Sequence, residues 1–234
     1  MMAAYKLGRF LLDVLYPNKC PFCNEVIAYD LYYCADCIHE LEQDFAENPR
    51  ELMPIANIAE TFAVFEYSAE TSPFVYSIKD GGNGYAVSAA AKMLCDMLKD
   101  KTGEKIQIDL LTCVPTDSSR MRERGYNPPA LIASELAAMI GVPFDPRLLI
   151  KARRTEIQKS LSEIERRENL RGAFKLNKKR IPSKTVLLID DVRTTGATLS
   201  EAAGVLLSSG AEKVYAGVVA ASMRQNSAQN ANVL

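Results

Sequence analysis

The apolar positions of this chain fall into short runs that alternate between two periods. TVLLID at 185–190 and KVYAGVVA at 213–220 are near-continuous apolar runs rich in β-branched residues, the pattern of strands buried on both faces. TFAVFEY at 61–67, IQIDLLTCV at 106–114 and LLIKA at 148–152 share that strand composition. Between them Ala86, Ala90, Met93, Leu94 and Met97 recur at helical spacing, and PPALIASELAAMI at 128–140 and ATLSEAAGVLLSS at 197–209 also read as helices. Asn127 stands where it can cap the helix at 128–140, Pro128 suits the first helical position because its missing N–H costs nothing there, and Gly141 can end it. Strands alternating with helices predict an α/β domain, a parallel sheet flanked by helices on both faces.

The N-terminal part does not share this rhythm. Residues 3–16 place Leu7, Phe10, Leu11 and Val14 on one face of a short helix that stops at Tyr16 and Pro17. Further on, IHELEQDFAENPREL reads as a short acidic helix and a surface linker closed by Pro49 and Pro54. The expected organisation is therefore a small module over residues 1–55, a main domain over 56–222, and a frayed tail rich in Asn, Gln, Ser and Ala over 223–234. A chain of 234 residues, 48% of them hydrophobic, can bury one full core and still carry such an appendage. No apolar run approaches the roughly 20 residues that span a bilayer. The apolar stretch near the N-terminus holds Asp13 and no small-residue cleavage site, so a cytoplasmic protein without a membrane span is expected.

The formal net charge of −1 averages two unlike segments. Residues 20–80 hold twelve acidic side chains against two basic ones, whereas residues 151–184 hold twelve basic against four acidic. The second segment can attract a polyanion such as single-stranded DNA.

The apolar run at 186–189 stops abruptly at Asp190 and Asp191, at the carboxyl end of a strand, where open α/β sheets place their ligands. Adjacent carboxylates there can accept hydrogen bonds from the neighbouring hydroxyls of a ribose. Arg193, Thr194, Thr195, Gly196, Ala197 and Thr198 follow and lead into a helix whose free N–H groups and positive dipole end favour a phosphate. Gly196 permits close backbone approach, and the three threonines add hydroxyl donors. Acids for a sugar followed directly by a phosphate cradle suit a ribose 5-phosphate group, and Asp190 and Asp191 are also the candidate catalytic pair.

Two further regions can complete such a site. Pro115, Thr116, Asp117, Ser118, Ser119 and Arg120, followed by Arg122, Arg124, Gly125, Tyr126 and Asn127, come at another strand end with the small polar and basic character of a pyrophosphate loop. The segment 151–174 is too polar for core and long enough for a lid that excludes water, with Arg153, Arg154, Gln158 and Lys159 as its contributors. No general base for an acceptor stands out.

Four of the six cysteines, Cys20, Cys23, Cys34 and Cys37, form two C-x-x-C knuckles, the arrangement of a small zinc ribbon. So short a segment cannot hold a core alone, and Zn²⁺ would supply its folding energy in a closed, structural site. Cys95 and Cys113 read as small buried apolar residues, and His39 as a surface residue.

The string VLLIDDVRTTGAT at 186–198 resembles the signature of the type I phosphoribosyltransferases. That resemblance implies that Asp190 and Asp191 hold the ribose hydroxyls of phosphoribosyl pyrophosphate, that the following loop holds its 5-phosphate, that the loop at 115–120 takes its pyrophosphate, and that Mg²⁺ accompanies the ligand. Together with the four-cysteine ribbon, RERGYN at 122–127 and ERRENLRGAF at 165–174, it makes the chain similar from Cys20 to Val219 to the ComF family of bacterial competence proteins. Pro128 departs from the glutamine common in that family. The family resemblance implies a role in uptake of transforming DNA, beside an inner-membrane channel and a DNA-uptake helicase. Two functions stay open at this point: an enzyme transferring a phosphoribosyl group to an unidentified acceptor, and a non-catalytic accessory that binds single-stranded DNA and uses the ligand site for sensing.

Overall fold

The computed structural model describes residues 17–28, 30–47, 50–80, 84–102, 106–153, 170–177 and 184–225. The helix expected at 3–16 and the lid residues 154–169 lie outside them.

Four parallel strands form the central sheet. They are β2 (Thr61–Glu66), β3 (Leu110–Cys113), β6 (Thr185–Arg193) and β7 (Lys213–Ala221), in the spatial order β2-β7-β6-β3. β6 is central, paired with β7 from Thr185↔Lys213 onward and with β3 from Leu110↔Val186 to Cys113↔Ile189. Its apolar stretch is buried throughout because successive side chains enter different cores. Leu187 and Ile189 join Phe62, Phe74, Leu94, Ile132 and Leu136 on one face. Val186 and Leu188 join Leu148, Leu199, Ala203 and Leu206 on the other.

The first face is covered by α2 (Ser72–Asp80), α3 (Gly84–Thr102) and α5 (Pro128–Ile140), the second by α6 (Ala197–Ser208). A parallel sheet requires such cover on both faces, as the alternation of periods anticipated. Gly141 ends α5 in the left-handed region, at φ 71°. Asn127 precedes α5 without a side-chain cap. Its amide Nδ2 donates instead to the Val114 carbonyl at 3.0 Å, so the residue ties the start of α5 back to the end of β3.

Four further features depart from the sequence expectation. Residues 72–80 form α2, which carried no recognised helical signal. Residues 118–124 form a short helix, α4 (Ser118–Arg124), where a loop was expected. The acidic helix, α1 (Ala35–Glu47), begins before Ile38 and takes in Cys37. At the other end the expectation of a frayed tail from residue 223 does not hold for β8 (Arg224–Gln225), which pairs antiparallel with β1 (Arg50–Glu51). That pairing brings the linker after the N-terminal module beside the last strand of the main domain. A separate two-stranded ladder, β4 (Leu149–Lys151) with β5 (Phe174–Leu176), flanks the sheet.

Candidate functional site

All four sheet strands point the same way, so their carboxyl ends share one edge. β6 delivers Asp190 and Asp191 there. Asp190 is 8% exposed, and Asp191 is half-buried. Burial first, and the charge of Asp191 second, push the Asp190 carboxyl well above the usual carboxylate range, against the pull of the Asp191 N–H and Lys79. The Asp191 N–H donates to Asp190 Oδ1 at 2.9 Å, and Lys79 Nζ stands 3.4 Å from Asp191 Oδ2. The acids therefore lie fixed side by side, one of them facing a cation.

The loop after them turns at Gly196, whose φ of 79° only glycine adopts readily, and α6 starts at Ala197. Thr194 is exposed, and Thr195, Ala197 and Thr198 are half-buried, so the turn presents small polar groups at a helix N-terminus. A methyl added at Gly196 would stand 2.7 Å from Ile55 Cδ1. Ile55 belongs to a strap that crosses the loop. Within it, Met53 accepts a hydrogen bond from Arg193 Nη2, and Asn57 donates to the Ser200 carbonyl at 3.2 Å.

Arg193 is the expected ligand residue that the structure does not bring to the loop surface. It is 3% exposed, its guanidinium is turned to the strap, and Nε and Nη1 have no partner among the described residues. Burial lowers its pKa. Its backbone continues β6 while its side chain is buried beneath the strap, and Val192 packs with Leu187 and Ile189 on the other face, so the strict alternation of the apolar stretch does not carry through to this residue.

β3 lies next to β6, and the Val114 N–H donates to the Ile189 carbonyl at 2.9 Å. The segment from Pro115 therefore starts beside the acids. Pro115 and Thr116 are half-buried, while Ser118, Ser119 and Arg120 are exposed on the first turn of α4. Asp117 is buried, and its Oδ2 is held at 2.6 Å by Lys151 Nζ from β4. Its carboxylate thus anchors the neighbouring hairpin.

That hairpin is the stem of the expected lid. β4 and β5 pair from Leu149↔Leu176 to Lys151↔Phe174, and the Ala152 N–H donates to the Ala173 carbonyl at 2.7 Å. Arg153 Nη2 donates across it to the Arg171 carbonyl at 2.8 Å. The Gly172 N–H donates to Glu201 Oε1 on α6 at 2.6 Å. Of the lid residues only Arg153 falls among those described; Arg154, Gln158 and Lys159 lie outside.

Sequence reasoning passed over Lys79 and gave Tyr126 no role of its own. The Tyr126 hydroxyl donates to the Lys79 carbonyl at 2.8 Å and the Ile78 carbonyl at 3.1 Å, joining the RGYN segment to the end of α2. No local signal marks Lys79, because its partners are distant in sequence.

The cysteine module has the donor set of a metal centre. The Sγ atoms of Cys20, Cys23, Cys34 and Cys37 all lie within 4.8 Å of one another. Cys23 Sγ and Cys34 Sγ are 3.7 Å apart. Four sulfurs at Zn–S distances near 2.3 Å would be separated by roughly 3.8 Å on a tetrahedron, so the four fit a zinc ion. The Lys19↔Val26 bridge and the turn at Asn24, φ 65°, shape the first knuckle, and α1 carries Cys37. Burial works to raise the Cys20 thiol, but hydrogen bonds with the backbone of Cys23, Cys34 and Phe22 and with the Cys34 thiol outweigh it and lower it to about 7. Burial and the neighbouring thiols push Cys37 the other way, so the four thiols act as one set whose protons leave as the metal binds.

Comparison with known proteins agrees with both halves. Residues 11–50 match the double zinc ribbon domain family, here with one four-cysteine set, and residues 129–234 match the phosphoribosyl transferase domain family. The chain is 32% identical over 200 residues to the DNA utilization protein YhgH of Salmonella typhi, covering 84% of this chain and 81% of that one. It is 26% identical over 199 residues to Competence protein F of Haemophilus influenzae, covering 83% and 81%. Among solved structures, adenine phosphoribosyltransferase of Saccharomyces cerevisiae aligns with 80% of this chain and 90% of its own at 15% identity and a TM-score of 0.40. No helix among the described residues is long and apolar enough to cross a membrane.

Proposed function

The chain belongs to the ComF family of competence and DNA-utilization proteins, and from that premise we propose that it binds phosphoribosyl pyrophosphate with Mg²⁺ and serves the uptake of transforming DNA. The observation that carries the ligand reading is the meeting of two strand ends, where the hydrogen bond from Val114 to Ile189 sets the start of the 115–120 segment beside Asp190.

In this reading Asp190 and Asp191 accept the ribose hydroxyls. The backbone and hydroxyl groups from Thr194 to Thr198 take the 5-phosphate, with Gly196 giving the close approach. Pro115, Thr116, Ser118 and Arg120 face the pyrophosphate, whereas Asp117 of the same expected loop is held by Lys151, and the hairpin stem so anchored carries the covering segment with Arg153, Arg154, Gln158 and Lys159. Mg²⁺, when bound with the ligand, neutralises the pyrophosphate charge. Transfer would break the bond from C1 of the ribose to pyrophosphate and form one from C1 to the acceptor's nucleophilic atom.

Calorimetric titration of the zinc-loaded chain with phosphoribosyl pyrophosphate and Mg²⁺ tests the binding. A saturable heat, lost in Asp190→Asn with Asp191→Asn, is the expected result. Equal binding by the double variant overturns the assignment. Pyrophosphate release with candidate acceptors then separates a transferase from a sensor.

The names of the relatives, the basic balance of residues 151–184 and the exposure of Arg122 on α4 favour a second role beside the first, contact with single-stranded DNA. Affinity for single strands should then fall steeply with salt, and a flat response counts against it. A helicase of the uptake machinery is the protein partner this family reading implies, in a protein working on the cytoplasmic side.

A further inference from the structure

Lys79 stands at the end of α2, one residue from its last position, with Nζ 3.4 Å from Asp191 Oδ2. Neither end of that pair is loose, since Lys79 is 23% and Asp191 18% exposed at the side chain. A lysine stem has four rotatable bonds, so a half-buried ammonium keeps one place only when its backbone is fixed. Here Tyr126 fixes it. The last carbonyls of a helix have no partner within it, and the Tyr126 hydroxyl bonds two of them, those of Ile78 and Lys79. Tyr126 is itself held next to Asn127, whose amide reaches the Val114 carbonyl at the end of β3. A continuous path thus runs from the strand beside Asp190, through Asn127 and Tyr126, to the cation facing Asp191.

We propose that Lys79, positioned by Tyr126, is the built-in counter-charge of the Asp190–Asp191 pair, facing Asp191 directly and offsetting part of the negative charge that the two adjacent acids concentrate at the strand end. The need for one is physical. Adjacent acids repel each other, and a buried one takes up a proton in preference to standing charged. A protonated Asp190 would donate where the ribose hydroxyl also donates. Arg193, the nearest basic residue along the strand, does not supply the charge, because its guanidinium is turned to the Met53 carbonyl. Among the described residues, the other titratable groups bearing on the pair are Tyr67, after β2, and Cys113, at the end of β3, and neither is a cation. Lys79 acts through the acids and is a positioning residue. Its importance for ligand binding rests on the reading proposed above, whereas its effect on the acids does not.

The test is made first on the empty, zinc-loaded full chain. Carboxyl-carbon NMR, with signals assigned from Asp190→Asn, follows the titration of Asp190 in the wild type, Lys79→Met, Lys79→Arg and Tyr126→Phe. In Lys79→Met the Asp190 titration is expected to move to higher pH by roughly one pH unit or more, in Lys79→Arg to return toward the wild type, and in Tyr126→Phe to fall between. An Asp190 titration unchanged in Lys79→Met overturns the proposal, as does an equal displacement in Lys79→Arg. Calorimetry with phosphoribosyl pyrophosphate and Mg²⁺ follows. Lys79→Met should bind about tenfold more weakly at pH values between the Asp190 midpoints that the NMR titrations give for the two proteins, and recover as pH rises. A wild type that gives no heat while the NMR displacement stands sinks the ligand reading and leaves the counter-charge in place.

Discussion

The ring of Phe22 lies flat on that of Phe74, with centroids 4.7 Å apart and planes inclined by 7°. Phe22 also meets Phe65 edge-on at 5.4 Å. Because Phe22 sits between Cys20 and Cys23, the first knuckle of the zinc ribbon is seated on α2 and β2 of the main domain. The same helix ends in Lys79. The metal centre and the acid pair therefore share α2 as a common support.

Phe22→Ala should cost about 1–3 kcal/mol, since the ring is half-buried in an aromatic cluster. The shift of the urea midpoint measures it. Zinc removal should act on the same contact, because the knuckle holds its shape through the ion. Chelation is expected to lower the melting temperature of the wild-type main domain, and to lower it less in Phe22→Ala. Equal effects in the two proteins would show that the ribbon and the domain melt independently.

Asp190→Asn should stabilise the empty protein at neutral pH while abolishing ligand binding. Burial, and then the charge of Asp191, raise the Asp190 carboxyl in the folded chain, so the folded state binds a proton more readily than the unfolded one. Stability of the wild type accordingly falls as pH rises from the ordinary carboxylate value through the raised one. The uncharged amide removes that loss. Each kcal/mol recovered is worth about 2–4 °C in Tm at this length. The difference should close below pH about 4, where the acid is neutral in both states. Calorimetric melts of both proteins at acid and neutral pH check the sign, and a variant less stable than the wild type at neutral pH contradicts it.

Gly196→Ala should cost about 1–3 kcal/mol, for two separable reasons. The position has φ 79°, and an added methyl would meet Ile55 Cδ1 at 2.7 Å. Trimming the neighbour with Ile55→Ala in a double-mutant cycle should relieve the contact and leave the backbone strain. Additive losses in the urea midpoints would mean that Ile55 simply moves aside.

The legible part of this molecule was what lies close along the chain. The acids, the turn and the helix start of residues 190–198 form one contiguous string, and the cysteine knuckles are fixed by short spacing, so residue types alone announce their chemistry. The apolar run at 186–189 declared a strand buried on both faces for the same reason. What stayed hidden depends on distant partners. Arg193 reads as an anion-binding residue until the structure turns it to Met53, 140 residues away. Asn127 has the composition of a helix cap, yet its amide serves β3. The packing of Phe22 on Phe74 is a tertiary event that no local period encodes. The helix at 72–80 was missed because Ser72 and Pro73 open it without an acidic first turn, in a segment read as following a strand.

The Lys151–Asp117 pair offers the sharpest test of how the β4–β5 hairpin is held. The two atoms are 2.6 Å apart, with Lys151 19% and Asp117 9% exposed at the side chain, so the pair is largely withdrawn from water without being fully dry. Removing one partner leaves the other's charge to be desolvated alone, which in a buried setting costs about 3–5 kcal/mol. The remaining solvent contact of Lys151 lowers the expectation for Lys151→Met to about 2–4 kcal/mol. Replacing both, with Asp117→Asn and Lys151→Met, should recover much of that loss, because no charge is then stranded. The double variant should still fail to hold the stem against the 115–120 segment. Limited proteolysis between residues 152 and 173 is therefore expected to accelerate in the double variant even where its urea midpoint is close to that of the wild type. Unchanged cleavage with a recovered midpoint would mean that the β4–β5 ladder and the Gly172–Glu201 hydrogen bond suffice to anchor the hairpin.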